Sequence, residues 1–241
     1  MAVLEVQSLN VRFGAHHAVT DVAFAVDAGT IVGLIGPNGA GKTTIFNAIT
    51  GVQRCTGSVH LDGTNISRAP AHRRARLGMN RTFQRLEVFG SMSVYDNVRT
   101  AAEINARAHR RPLREANAVA GEILELLGLG AIASSRADAL PTGQARLVDL
   151  GRALATQPKV VLLDEPASGL SEQESARLAE VLTSLAERDT AVLLVEHDVD
   201  LVMRLCSEIY VLDFGQVIAR GTPEEVRADD RVQEAYLGAV A

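Results

Sequence analysis

Val22, Phe24 and Val26 alternate with smaller residues before Asp27-Ala28-Gly29, the pattern of a half-buried strand that ends in a turn. An antiparallel patch is therefore expected near the N-terminus. Three uninterrupted apolar runs follow, Ile31 to Ile35, Val160 to Leu163 and Ala191 to Val195, each short, rich in β-branched residues or leucine, and bounded by glycines or charges. Such runs predict strands buried on both faces, as in a parallel sheet. A segment of helical character comes after each run, so the rhythm is βαβ, with helices on both faces of a mostly parallel sheet. Reactive groups then belong at the carboxyl ends of those strands.

From about Glu87 to Gln157 the pattern changes to helix, with Ile104, Ile123, Leu124, Leu126 and Leu127 at helical spacings, which predicts an inserted helical subdomain over about 87–157. Tyr210-Val211-Leu212, Asp213-Phe214-Gly215 and Gln216-Val217-Ile218 read as a hairpin. Thr222-Pro223-Glu224-Glu225 opens a short helical tail over about 222–241, with proline and acids in its first turn. There is no internal repeat, so 1–241 is expected to be a single α/β domain.

Composition narrows the partners. Hydrophobic residues make up 47% and charged residues 22% of the 241, globular proportions that exclude disorder. A net charge of -5, with arginines spread along the chain, gives no basic field for a nucleic-acid backbone, so no nucleic-acid partner is expected. The only two cysteines, Cys55 and Cys206, lack metal or redox spacing and read as small buried hydrophobes. No apolar run approaches the ~18 residues of a membrane span, and the first residues lack a leader pattern, so a soluble, unprocessed chain is expected, able to sit on a membrane through a partner.

Gly36-Pro37-Asn38-Gly39-Ala40-Gly41-Lys42-Thr43, continued by Thr44, fits G-x-x-x-x-G-K-[ST] between an apolar strand and a helical segment. In a loop of this kind glycines let backbone N-H groups converge on phosphate oxygens, and the following helix adds its positive end. Lys42 would bridge the β- and γ-phosphates and Thr43 ligate Mg2+, making ATP and Mg2+ the expected ligand and cofactor. Lys42 is one of two lysines in the chain, the other being Lys159, so its place here is informative. The run Val160 to Leu163 delivers Asp164-Glu165, with Asp164 a carboxylate for the magnesium shell and Glu165 a base for the attacking water. The third run delivers Glu196-His197-Asp198, an imidazole within reach of a γ-phosphate.

In order along the chain, Gln84, Leu140-Pro141-Thr142-Gly143-Gln144, Leu162-Leu163-Asp164-Glu165-Pro166, Ser168-Gly169-Leu170 and His197 resemble the motif series of ATP-binding cassette (ABC) ATPases over nearly the whole length. That resemblance implies the fold of this phosphate-loop class and gives Phe13 to the adenine, Gln84 to magnesium and water, and His197 to the switch position. It also implies that Thr142, Gly143 and Gln144 cap ATP on an opposing subunit, in a head-to-tail homodimer or heterodimer with two interfacial nucleotides. Gly143 would then stand at the amino end of a helix starting near Gln144, where free N-H groups favour phosphate. Two residues depart from the family pattern: Pro141 stands where serine is usual, and Ser171 where aspartate is.

Arg81-Thr82-Phe83-Gln84, Met92-Ser93-Val94-Tyr95-Asp96-Asn97-Val98, Glu196-His197-Asp198 with Leu201-Val202-Met203, and Gly221-Thr222-Pro223-Glu224-Glu225-Val226 with Ala235-Tyr236-Leu237-Gly238 are similar to the ATPases of branched-chain amino acid importers. The resemblance implies membrane permease subunits, a periplasmic or extracellular solute-binding protein, and a place on the cytoplasmic face of the plasma membrane. The stretch from Asn97 to Leu140 is shorter than is usual in that group. The core motifs equally fit an exporter or lipid-extracting ATPase. A DNA-acting relative would need a long coiled coil between Lys42 and Asp164, where no sustained heptads occur, and ribosome-acting relatives usually carry two cassettes where this chain has one.

Overall fold

The computed structural model describes residues 1–237; Gly238 and the rest of the predicted tail lie outside them. Two sheets share one body. The first is antiparallel, in the order β2-β1-β4-β5, from β1 (Ala2–Phe13), β2 (His16–Asp27), β4 (Thr56–Leu61) and β5 (Thr64–Asn65). The second, in the order β10-β9-β3-β8-β7-β6, is formed by β3 (Ile31–Ile35), β6 (Met79–Arg81), β7 (Val160–Asp164), β8 (Ala191–Val195), β9 (Glu208–Asp213) and β10 (Gln216–Gly221). Within it, β3 pairs in parallel with β8 and β9, and β7 with β6 and β8, while β9 and β10 form the antiparallel hairpin.

All three predicted apolar runs are fully buried strands, and their alternation divides the core. Val160 and Leu162 face the antiparallel sheet with Leu4, Phe24 and Phe46, while Val161 and Leu163 face the helices with Val98, Leu150 and Leu182. Each such side chain removed from water contributes about 1.5–3 kcal/mol before entropy is counted.

Between the sheets' elements run α1 (Lys42–Ile49), α2 (Ala71–Arg76), α3 (Val94–Ala108), α4 (Arg114–Leu126), α5 (Thr142–Leu154), α6 (Glu172–Glu187) and α7 (Val199–Leu205), with α8 (Pro223–Ala228) and α9 (Asp230–Leu237) at the end. Ser93, Ser171 and Thr222 cap α3, α6 and α8 by accepting the N3 backbone N-H, and the last two complete capping boxes with Glu174 and Glu225. Ser171, one of the two departures from the family pattern, thus holds the start of α6.

Two expectations need correction. Ile104 is 59% exposed: α3 buries Val98, Ala102 and Ala106, which leaves position 104 on the opposite side of the helix. Cys206 is buried, but Cys55 is only half-buried, in the loop before β4. The loop Phe214-Gly215, with φ of 41° and 77°, closes the hairpin in the left-handed conformation that a two-residue turn requires. Its Gly215 N-H donates to Ala40 O and its carbonyl accepts from Thr20 N, which pins the turn between the loop before α1 and β2.

Candidate active site

The loop from Gly36 to Gly41 joins β3 to α1 so tightly that glycine is required at both of its ends. A Cβ on Gly36 would lie 2.1 Å from Leu212 O, and one on Gly41 would lie 3.0 Å from Ala18 O at a φ of 105°. Asn38, Gly39, Ala40, Gly41, Lys42, Thr43 and Thr44 line one cleft together with Gln84, Glu165 and His197, residues from four separate parts of the chain. Lys42 is 7% exposed and its Nζ donates to Gly36 O (2.6 Å) and Pro37 O (3.0 Å) across the loop. Burial pulls its ammonium below the ordinary range, and the carboxylates of Glu165 and Asp164 pull it back up.

Asp164 ends β7 and Glu165 follows it with φ of 52°, a left-handed turn held by Glu165 N donating to Val195 O (2.8 Å). Its carboxylate has side-chain partners from two different loops: Gln84 Nε2 donates to Oε1 (2.9 Å), and His197 Nε2 stands 2.9 Å from the same oxygen. Glu196, 6% exposed, ties this corner together by accepting from Ala167 N (2.6 Å) and His197 N (3.1 Å). Its burial raises the Glu196 carboxyl above the usual range, and the two backbone donors oppose that shift.

Asp164 is 1% exposed and pairs with Arg81, whose Nη2 lies 2.7 Å from Oδ2, whereas Oδ1 is buried with no hydrogen-bond partner among the described residues. An orphaned carboxylate oxygen beside a phosphate loop fits a magnesium ligand.

Of the predicted residues, Gly36, Pro37 and Asp164 adjoin the lining residues without lining the cleft themselves, and two further sets stand apart from it. Phe13, at the end of β1, is 51% exposed and does not line it. Thr142, Gly143 and Gln144 form the first turn of α5, which begins two residues earlier than expected with Pro141 at its N-cap and no side-chain cap. That turn packs on the segment that opens α6, since a Cβ on Gly143 would meet Glu174 Oε2 at 2.8 Å and Gly169 O at 3.1 Å. Pro141 and Thr142 are exposed.

Three contributors had no role assigned from sequence, Arg81 being named only within Arg81-Thr82-Phe83-Gln84. Arg81 holds Asp164; Asp149, on α5, faces the Phe83 backbone N-H; and Arg146 Nη2 donates to Gln84 O (3.4 Å). The alternation of β7 with its neighbour could have indicated Arg81, but the neighbouring strand is three residues long and polar.

The ABC transporter family pattern matches residues 19–168, and one described as branched-chain amino acid ATP-binding cassette transporter matches residues 216–241. The chain is 39% identical over 249 residues, 98% of each chain, to the high-affinity branched-chain amino acid transport ATP-binding protein BraF of Pseudomonas aeruginosa. It is 36% identical to the lipopolysaccharide export system ATP-binding protein LptB of Escherichia coli, covering 99% of this chain and 98% of the relative. Its fold is similar to the crystal structure of a nucleotide-free ATP-binding cassette from an ABC transporter, with a TM-score of 0.86 and 29% identity over 98% of this chain and 99% of the other. A phosphate loop and the strand-end carboxylate of Glu165 in one cleft, with these relatives along nearly the whole length, place the chain in the ABC transporter family, as an ATP-hydrolysing subunit.

Proposed function

We propose that this chain is the ATPase of an importer for branched-chain amino acids or related small polar solutes, acting on Mg-ATP. The observation that carries the catalytic part is the Glu165 carboxylate, held by Gln84 and His197 in the cleft lined by Lys42. Loop N-H groups from Gly36 to Thr44 and the Lys42 ammonium bind the β- and γ-phosphates, and Phe13, exposed on β1, stacks on the adenine. Thr43, Gln84 and Asp164 would hold magnesium, which when bound offsets charge on the phosphate oxygens. Glu165 orients the attacking water and takes its proton as the water oxygen approaches the γ-phosphorus in line. His197, 49% exposed where Glu165 is 16%, sits on the open side of that carboxylate and contacts the γ-phosphate.

Thr142, exposed at the start of α5 and outside its own chain's cleft, supports a head-to-tail dimer in which Thr142, Gly143 and Gln144 present N-H groups to the opposing ATP. In this reading residues 1–241 act as one ATPase unit, with the helices of about 87–157 inserted in it. The unit works at the cytoplasmic face of the plasma membrane on permease subunits that receive solute from a binding protein. Among the described residues no helix is long and apolar enough to cross a membrane, which leaves the membrane path to the permease.

The match of residues 216–241 to the branched-chain amino acid group favours import. The 36% identity to a lipopolysaccharide export ATPase favours a second reading, lipid extraction. Purification with its native permease and reconstitution in liposomes separates the two. Turnover raised by a binding protein loaded with leucine supports import, and turnover raised only by lipopolysaccharide supports extraction.

A further inference from the structure

Arg81 ends β6, opposite Leu162 in the register with β7, two residues before Asp164. Its guanidinium joins three parts of the site. Nη2 donates to Asp164 Oδ2 at 2.7 Å and Nη1 to Asn47 Oδ1 on α1 at 2.6 Å, while the plane lies 5.2 Å from the Phe46 ring and 4.8 Å from the Phe83 ring, next to Gln84. The paired side chains are 4% and 1% exposed, so water does not compete for the contact. One Asp164 oxygen is therefore claimed and fixed, and Oδ1 has no hydrogen-bond partner among the described residues.

We infer that Arg81 is a positioning residue that sets which divalent cation the site accepts, by leaving Asp164 one usable oxygen. The inference rests on the reading above in which Asp164 helps to hold the metal. Mg2+ takes octahedral geometry, keeps several waters and needs only one carboxylate oxygen, whereas Ca2+ takes six to eight ligands and gains from bidentate carboxylates. With Oδ2 locked by Arg81, bidentate ligation by Asp164 is closed. A fork that holds Asp164 and Asn47 together is a geometry only arginine supplies, since lysine is a single point of charge.

The test uses the full chain in a Glu165→Gln background and ATP carrying a fluorescent ribose label, titrated with EDTA, Mg2+ or Ca2+. Arg81→Met should leave affinity in EDTA nearly unchanged and weaken the Mg2+-dependent gain by about tenfold, as loss of a metal ligand's partner does. Ca2+-supported binding should hold or improve, so the preference for Mg2+ over Ca2+ falls. A purely structural ion pair would lower both metals' effects together and keep the ratio. Should Arg81→Met fail to fold, Arg81→Lys keeps the charge but cannot span both partners, and the ratio should fall in the same direction by a smaller factor. An unchanged Mg2+ to Ca2+ ratio in whichever variant folds overturns the inference. If Mg2+ does not tighten nucleotide binding in the unaltered background, it is the metal reading of Asp164 that fails; if it does and the ratio survives the variant, only the role of Arg81 fails.

Discussion

Removing Arg81 while leaving Asp164 in place strands a carboxylate that is 1% exposed. Breaking a buried pair from one side costs about 3–5 kcal/mol, because the remaining charge is neither hydrated nor matched. Loss of the contacts with Phe46 and Phe83 adds up to about 1–2 kcal/mol, part of which a methionine recovers. Folding stability of a domain is usually about 5–15 kcal/mol, so Arg81→Met should remain folded but far weaker. In a chain of this size each kcal/mol moves the melting temperature by roughly 2–4 °C, so a total of about 3–7 kcal/mol puts the expected fall at roughly 6–28 °C. Asp164→Asn should also destabilise, since it leaves a guanidinium whose burial already lowers its affinity for a proton. Arg81→Met with Asp164→Asn should cost less than the sum of the two by about 2–3 kcal/mol, the coupling expected of residues in one network. Urea unfolding of the four proteins without nucleotide measures all these terms. Costs that simply add, within about 0.5 kcal/mol, would show that the two groups do not act as a buried pair.

Burial holds the Asp149 carboxyl at about 6 instead of 3.8, so the folded chain keeps that proton to higher pH than the unfolded chain does. This contribution to stability is complete below pH 4 and is lost as pH rises through about 6; Asp149→Asn should flatten the decline and stabilise the chain at pH 8 by roughly 2–3 kcal/mol, measured by urea unfolding at pH 5 and pH 8. Lys42→Ala should abolish tight nucleotide binding or turnover, since a cation buried at the phosphate loop is lost; unchanged turnover would remove the site assignment. Pro141 has φ of -55° and ψ of 151°, close to the capping Ser93 at -67° and 162°, so Pro141→Ser should gain a cap worth about 1 kcal/mol and lose a similar amount of proline rigidity. Its hydroxyl should tighten ATP-driven dimerisation of a Glu165→Gln chain by roughly tenfold in sedimentation, whereas Gly143→Asp should abolish the dimer and also strain the contact with Glu174.

The parallel strands and the phosphate loop were legible because each is a local pattern: a short apolar run, or glycines at fixed spacing ahead of Lys42. The hairpin of β9 and β10 was legible for the same reason, with Phe214-Gly215 between two alternating runs. β6 was missed because Met79-Asn80-Arg81 is too short and too polar to signal a strand; its pairing with β7, not its side chains, makes it one. The role of Arg81 lay out of reach with it, since the contact joins residues 83 apart in sequence and exists only once β6 and β7 are neighbours. The helical region was read correctly in kind, but a single apolar residue at helical spacing does not fix which face of α3 looks inward, and Ile104 fell on the outer one.

Glu165 as the base is the step on which hydrolysis at this site depends. The most direct measurement is single-turnover phosphate release from Mg-ATP by Glu165→Gln beside the unaltered chain. The amide still accepts from Gln84 through its oxygen but takes no proton, so nucleotide binding should persist while phosphate release slows by about 100-fold or more. Phosphate release at the unaltered rate, with nucleotide bound as before, would contradict it.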